Sequence, residues 1–443
     1  MATSRSFQAM INDYLTTEVL RAELPKRMFL LDKVKKDDSW VGGNATQGYV
    51  VPFVGGSASS VTFGSLTAAG DIAEDQDVRG TVDVQPELWG SMMFHSKDFM
   101  QHEGKKREIS LLGSIKRQVD PFLSFVKMGL SDVLLGGPHF ATIIALTDAA
   151  NGVVQIDRIE KVTLKQKIVV REAATPSAVD GYIQVINKSA GTITLHTTRA
   201  GGAVLDLTAG GPLTAALLVG DVLYYDGLVN TGTGAIQNTF SSLRSILLTA
   251  ANGGGATLYG ETKTAYPFLQ ALNIDGSAGD YAMTSANILE KLFYIHALET
   301  SIKAKGLNGK QADNCLVSPK NYAAIKIALE KYKGQYFTEP GNAKASPYSW
   351  KEITVGSKGG DMLSISMVPE MANDIIPCVN WESMILASNG FFKFHEDPTN
   401  PGKIKYFEAR ATTGYSYIVD IAFMGDLINV CPEASSIIHS VAI

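Results

Sequence analysis

The chain has 443 residues, more than one ordinary hydrophobic core supports, so two or three modules are expected. Hydrophobic residues make up 45% and charged residues 19%, which is typical of a soluble globular protein with few surface charges. The formal net charge is −5, and no Lys/Arg run is longer than Lys105-Lys106-Arg107. These features exclude a protein that binds nucleic acid mainly by neutralising phosphate charges. Neither a secretory signal nor an apolar run of membrane-helix length is visible. We expect a protein that is soluble and intracellular when made.

Residues 1–45 are interpreted as an N-terminal arm. Apolar residues at helical spacing give a short helical pattern that ends at Pro25. An extended stretch follows through Trp40. The segment has too few apolar positions to fold by itself, so we expect it to pack on something else.

Residues 46–104 alternate β-prone and small residues without the apolar density of a core, which predicts a long two-armed ribbon standing off the body. The first arm contains Phe53 and Phe63, and the return arm runs from Thr81 toward Trp89. An isolated two-stranded ribbon is marginal in water and exposes unpaired edges, so the ribbon is expected to lie on a partner. The predicted tip is acidic, with Asp71, Glu74, Asp75 and Asp77.

A long amphipathic helix is predicted over residues 105–136, where apolar residues recur at spacings of three and four. The run Gly136-Gly137-Pro138 ends it. Asp120-Pro121 predicts a kink or a restart, because proline removes a backbone donor and crowds the preceding turn.

The pattern changes to period two over residues 155–230, which predicts a small barrel or sandwich of short strands. Helical patterns resume at Thr284-Ser285, so this part is interpreted as an insertion. A strand at Cys315 and a helix capped by Ser318-Pro319 follow, and the chain is β-rich again after about residue 350. The body is therefore predicted to be α+β.

The three cysteines Cys315, Cys378 and Cys431 lie far apart in sequence and form no CxxC motif. This spacing argues for a reducing compartment and against both a disulfide framework and a zinc site. We expect all three to be buried as small hydrophobic residues.

Motifs that carry chemistry are not found. The sequence has no Walker A, G-x-S-x-G or H-E-x-x-H motif. Ser124-x-x-Lys127 matches the penicillin-binding tetrad in spacing but lacks the companion K-T-G. The run from Asp75 to Gly80 loosely resembles a calcium loop, yet Arg79 occupies a ligand position. We therefore expect no enzyme, no catalytic residue, no cofactor and no metal site.

The order of these parts resembles the major capsid protein of tailed bacteriophages, with the Hong Kong 97 type capsid fold that encapsulin shells also use. The insertion is an addition to the minimal fold. The matching boundaries are residues 1–45 for the N-terminal arm, 46–104 for the extended β-ribbon loop, 105–154 for the spine helix and the start of the peripheral domain, 155–230 for the β-rich insertion domain, and 231–443 for the rest of the peripheral domain and the axial domain.

The resemblance implies a structural subunit that self-assembles into hexamers and pentamers of an icosahedral phage head around packaged double-stranded DNA, which it contacts non-specifically. The implied location is the virion, assembled in the cytoplasm of a bacterial host. Besides copies of itself, the implied partners are a portal protein and a separate scaffolding protein, and a decoration protein on the insertion is left open. No membrane partner is expected.

Contacts between subunits are expected where apolar ribbon residues cover a neighbour and where the acidic tip meets basic residues at the start of the long helix. Ion pairs would orient these contacts, and apolar burial would stabilise them. The predicted contact residues are Trp40, Phe53, Phe63, Asp71, Glu74, Asp75, Asp77, Arg79, Trp89, Lys105, Lys106 and Arg107.

Two alternatives stay open. The first is an encapsulin-type compartment, which would enclose enzymes instead of DNA. The second, of a different class, is a β-rich carbohydrate-active enzyme or binding module whose insertion binds sugar. Such sites need paired carboxylates and exposed aromatic side chains, and the four tryptophans, Trp40, Trp89, Trp350 and Trp381, are dispersed in the sequence.

Overall fold

The structure is a computed structural model. The residues that it describes are 29–37, 49–53, 79–82, 87–95, 107–137, 139–172, 177–208, 213, 216–231, 233–236, 240–303, 312–331, 352–355, 363–388, 393–394, 396–397, 400–404, 406–411 and 414–441. The short helix predicted before Pro25 lies outside these residues.

The described helices and strands are numbered in chain order. The α-helices are α1 (Phe29–Lys33), α2 (Arg107–Gly136), α3 (Leu243–Leu247), α4 (Ile288–Lys303) and α5 (Pro319–Lys331). The strands are β1 (Lys35–Asp37), β2 (Tyr49–Pro52), β3 (Arg79–Val82), β4 (Glu87–His95), β5 (His139–Asp148), β6 (Val153–Ile156), β7 (Lys167–Glu172), β8 (Ser177–Asn187), β9 (Thr192–His196), β10 (Val222–Tyr225), β11 (Thr257–Leu258), β12 (Glu261–Thr262), β13 (Leu272–Asp275), β14 (Asn314–Val317), β15 (Glu352–Val355), β16 (Leu363–Met367), β17 (Ile376–Val379), β18 (Met384–Ser388), β19 (Lys393–Phe394), β20 (Glu396–Asp397), β21 (Asn400–Ile404), β22 (Tyr406–Ala411), β23 (Gly414–Asn429) and β24 (Ser436–His439).

The chain divides into two compact units. The first consists of Met1–Ser131 and Ser241–Ile443, and the second of Asp132–Phe240. In the first unit, the long strand β23 pairs with β4, β18, β19 and β22, and β1 pairs in parallel with β18. A second sheet of the same unit has the order β13-β24-β17-β14-β16-β15. Helices and both parallel and antiparallel strand pairs therefore share one unit, as the α+β prediction requires.

The second sheet carries the main core of the first unit. Helices α4 and α5 pack their apolar residues against it, through side chains such as Leu292, Ile295 and Ile325 that have no exposed surface. Strand β14 is buried along its whole length, which explains its continuous apolar run. Helix α5 begins as predicted, because Ser318 Oγ accepts a hydrogen bond from Asn321 N at 3.3 Å and proline fits the first turn.

The second unit is a closed barrel with the strand order β10-β5-β6-β9-β8-β7, which confirms the predicted small barrel. Its first strand begins at His139, before the predicted boundary at residue 155. The reason is that β5 and β6 supply two of the six strands: β5 pairs with β10, and β6 pairs with β9. Inward-facing residues such as Phe140, Ile183 and Leu195 form its core.

A buried ionic cluster lies in the barrel unit. The Asp132 side chain has no exposed surface, and its carboxylate pairs with the Lys161 ammonium. Arg158 Nη1 lies 3.7 Å from the same carboxylate, and the Tyr225 hydroxyl donates to its other oxygen at 2.7 Å. Asp132 lies in the last turns of α2 and belongs to the barrel unit. The cluster therefore joins this end of the helix to the strands and loops of the barrel unit.

Helix α2 runs continuously through Pro121, so of the predicted kink or restart at Asp120-Pro121 the restart is not present. The apolar stripe of its second half is buried as its spacing predicts, with Leu123, Val126 and Leu130 all nearly inaccessible to solvent. Proline removes one backbone hydrogen bond from the helix, and burial of this stripe stabilises the helix around it.

Two further predictions about the first unit are wrong. The return arm does not continue as a ribbon through Trp89, because β4 is a strand of the body: it pairs with β23 over nine residue pairs, from Glu87 opposite Met424 to His95 opposite Ser416. Strands at the edge of a sheet and strands of a free ribbon share the same alternation, so the sequence pattern did not separate them.

The second correction concerns the cysteines. Cys315 and Cys378 form a disulfide, which the sequence spacing argued against. They face each other on neighbouring antiparallel strands, β14 and β17, although 63 residues separate them in sequence. All three cysteines are buried as expected, and Cys431 lies outside the disulfide.

Candidate functional site

The root of the ribbon is the described part of the chain that best fits a contact surface. Strands β2 and β3 pair in an antiparallel register, with Val50 opposite Thr81 and Pro52 opposite Arg79. Side chains alternate between the two faces of the pair. Val51 and Val82 are buried against the body, whereas Val50 on the other face is 54% exposed.

Tyr259 fastens this root to the body. It lies in the tight turn between β11 and β12, and three of its groups make contacts. Its ring stacks on Phe53 with a centroid distance of 6.0 Å, and its carbonyl accepts a hydrogen bond from Thr81 N at 2.8 Å. Its hydroxyl donates to Leu427 O at 3.1 Å and accepts from Asn429 N at 2.9 Å. Tyr259 therefore joins both ribbon strands to β23.

The backbone of Tyr259 is strained. Its φ angle is 49°, a left-handed conformation that costs a non-glycine residue about 1–2 kcal/mol. Such a conformation persists only where the surrounding contacts determine it, and here the ring, carbonyl and hydroxyl are all held. Burial raises the pKa of Tyr259 well above its ordinary value, and the nearby Asp426 carboxylate adds to this shift, so the hydroxyl stays protonated and can donate.

A second attachment joins the ribbon to the preceding strand. The Tyr49 hydroxyl donates to Asp37 Oδ2 at 2.7 Å, and Asp37 ends β1, which pairs with β18 of the body. Burial and this hydrogen bond raise the pKa of Tyr49 to about 12. The ribbon root is therefore fixed to the body at two points.

We expect Tyr259→Phe to destabilise the chain by about 1–3 kcal/mol, because it leaves the buried Leu427 carbonyl and Asn429 amide without the hydroxyl. Tyr49→Phe is the matched control: its hydroxyl is only partly buried, and we expect a smaller loss of about 0.5–1 kcal/mol. Urea unfolding followed by circular dichroism measures both. Equal losses from the two variants would contradict the special role of Tyr259.

Of the predicted contact residues, the structure brings two to the root. Phe53 stacks on Tyr259, and Arg79 is exposed on β3. Trp89 lies on β4 in the body sheet, and Arg107 is the first residue of α2. The contact between the acidic tip and the helix start stays a prediction, because the tip and the two lysines that precede α2 lie outside the described residues. The predicted contact residues that lie outside them are Trp40, Phe63, Asp71, Glu74, Asp75, Asp77, Lys105 and Lys106.

Sequence reasoning missed Tyr259, Asp37 and Asp426. The run Tyr259-Gly260 between two short β-prone pairs is a turn signal, which could have indicated the hairpin. Its contacts with Phe53, Thr81 and β23 span long sequence separations, and no local pattern reports them.

Other kinds of site find no support in the described part of the chain. It contains no group of three or more His, Cys, Asp or Glu side chains that could hold a metal ion. Among the helices that the structure describes, none has the length and apolar character that a membrane span requires. Of the tryptophans named for a sugar site, Trp381 is half-buried in the body, and Trp40 and Trp350 lie outside the described residues.

Comparison with solved structures finds capsid proteins that are distantly similar to this chain. No family model and no curated protein matches the chain. Similar solved structures include the capsid asymmetric unit of cyanophage A-1(L), with 10% identity and a TM-score of 0.42 over 100% of this chain and 95% of that one. The capsid of a native GTA particle matches at 9% identity and a TM-score of 0.41, over 93% and 90% of the two chains.

The procapsid of satellite phage P4 matches at 9% identity and a TM-score of 0.37, over 96% of this chain and 100% of that one. These matches fall in the class that the sequence resembles.

Proposed function

We propose that the chain is the structural subunit of a protein shell, a major capsid protein that packs on copies of itself. The observation that carries this proposal is the ribbon root. Strands β2 and β3 pair with each other and with no other strand in the described part of the chain, while Tyr259 and Asp37 fix them to the body.

A two-stranded ribbon that is attached only at its root gains stability when it binds a partner. Two strands alone are marginally stable in water, and their unpaired N–H and C=O groups are ready to bind another chain. The exposed face at the root carries Val50 and Pro52, and apolar burial of this face on a neighbour would stabilise both molecules. A ribbon root that is fixed to the body in the same way in every copy also gives each copy the same attachment for its ribbon, which repeated assembly requires.

The finer parts of the proposal follow from the sequence resemblance. The copies would form hexamers and pentamers of an icosahedral head around double-stranded DNA, with a portal protein and a separate scaffolding protein as partners. The inner surface would meet DNA without sequence readout, because the chain is acidic overall, with a net charge of −5. The acidic tip of residues 71–77 would orient each ribbon toward basic residues near Lys105 of another copy.

Electron microscopy of the purified chain, together with size-exclusion chromatography, tests the proposal. We expect closed particles or capsomers of several copies. Particles that contain enzymes instead of DNA when purified from cells would favour the encapsulin-type compartment. A compact monomer at every concentration would contradict the proposed shell and would favour the alternative function, a carbohydrate-binding module.

A further inference from the structure

A carboxylate is buried in the body sheet next to the ribbon anchor. Asp426 on β23 is 2% exposed. Its oxygens accept hydrogen bonds from Ser241 N at 2.6 Å, from Ser241 Oγ at 2.7 Å and from Leu427 N at 2.9 Å. Ser241 directly precedes Ser242, which caps helix α3. Asp426 thus joins the start of this segment to the middle of the sheet.

No cation neutralises this carboxylate among the residues that the structure describes. The nearest elements carry three charged side chains, Arg244, Lys263 and Glu261, and the structure shows none of them paired with Asp426. Arg244 of α3 pairs with Asp374 at 2.9 Å, and Lys263 donates to three backbone carbonyls at the end of α3. Glu261 lies on β12, half-buried. The facing strand β18 has no ionisable residue, and the Tyr259 hydroxyl couples electrostatically to Asp426.

The residues next to Asp426 are the ones that hold Tyr259. Leu427 O and Asn429 N bond the Tyr259 hydroxyl, and Tyr259 O in turn accepts the bond from Thr81 of the ribbon. Strands β23 and β18 are closely packed next to Asp426, because a Cβ added to Gly425 would lie 2.6 Å from Ala387 O. A displacement of β23 at Asp426 therefore reaches the ribbon root through Tyr259.

We propose that Asp426 and Ser241 form a proton-controlled latch, which holds the ribbon root firmly when the carboxyl is neutral and loosens it when the carboxyl is ionised. The bonds from Ser241 favour the ionised carboxyl, but burial deprives that form of hydration, and this penalty is the larger of the two effects, so the ionised group lowers its energy when the site opens and admits water. That opening moves the segment that bonds the Tyr259 hydroxyl. The neutral acid keeps one oxygen as acceptor and can remain buried.

The pH window follows from the titration of the same group. Burial raises the pKa of Asp426 from 3.8 to about 7, against the three donors, which lower it. A folded-state pKa above the unfolded value means that the stabilisation is complete below about pH 4 and is lost as the pH rises to about 7. Above that pH the latch carries its full charge, so the ribbon root opens most readily there.

Hydrogen exchange of the full-length chain, purified alone and corrected for intrinsic exchange rates, tests the latch. The reporters are the amides of Thr81 and Asn429, which both bond Tyr259. We expect their opening constant to rise about 10-fold or more between pH 5 and pH 8 in the wild type, since one titrating group changes an equilibrium by up to about 10-fold per pH unit. The amide of Ile183 in the barrel serves as the internal control and should show no such step.

Two variants separate the latch from a merely structural role. Asp426→Asn keeps the shape and the acceptor oxygen without the charge, so its profile should be flat between pH 5 and pH 8. Ser241→Ala removes a donor to the charged form and should move the step to higher pH. A wild-type profile without a step, or the same step in Asp426→Asn, would overturn the latch. Because the readout needs no assembled particle, such a failure leaves the proposed shell untouched.

Discussion

Asp132→Asn is expected to lower the free energy of unfolding of the barrel unit by about 3–5 kcal/mol, because it removes one partner of a buried ion pair. Lys161 is 5% exposed and Arg158 is 8% exposed, so neither cation can turn to water without disrupting the packing around it. The Tyr225 hydroxyl keeps an acceptor in the asparagine oxygen, and the loss therefore reports the charge.

Hydrogen exchange of barrel amides such as Ile183 and Leu195 in the full-length chain measures this loss. Asp180→Asn is the matched control, since it removes the same charge from a pair with Lys167 whose side chains are 31% and 39% exposed. We expect about 0–1 kcal/mol for the control. A loss below 1 kcal/mol for Asp132→Asn would show that the cluster is not buried as described.

Replacement of residues 54–78 by a short glycine-containing loop is expected to abolish assembly and leave the fold intact. Pro52 and Arg79 are paired directly opposite each other, so a short loop can connect them. The stacking of Phe53 on Tyr259 and the bond from Thr81 remain. The shortened chain keeps the root and loses the rest of the ribbon, including the acidic tip that we propose to contact a neighbour.

Sedimentation velocity measures assembly, and circular dichroism with thermal melting measures the fold. The control neutralises the acidic tip alone, as Asp71→Asn, Glu74→Gln, Asp75→Asn and Asp77→Asn. Exposed ion pairs contribute about 0–1 kcal/mol each, so we expect the control to assemble with an altered salt dependence. Normal particles from the shortened chain would contradict the role of the ribbon.

Local patterns predicted the elements whose signals are contained within a few residues. The cap and proline at Ser318-Pro319 gave the start of α5, the period-two alternation gave the barrel, and the spacing of Val126 and Leu130 gave the buried face of α2. Capping, alternation and helical spacing each act over one or two turns or one strand, so one sequence is enough to read them.

Contacts over long sequence separations could not be read in this way. The pairing of β4 with β23, the disulfide between Cys315 and Cys378, and the anchoring of the ribbon by Tyr259 all join segments far apart in the chain. An apolar strand carries the same pattern whether it pairs with a ribbon or with a sheet, so β4 was assigned to the ribbon instead of the sheet. Buried charges such as Asp132 look like surface residues in sequence, because their partners come from other elements.

We propose that the ribbon of one copy lies on another copy. Particles assembled from an equal mixture of isotopically light and heavy chains, and treated with a carbodiimide that joins carboxylates to amines, test it by mass spectrometry. We predict cross-links between the carboxylates of residues 71–77 and lysines such as Lys105 or Lys106 in pairs with one light and one heavy peptide. Cross-links of the ribbon found only between peptides of the same label would contradict the claim, because the ribbon would then fold back on its own chain.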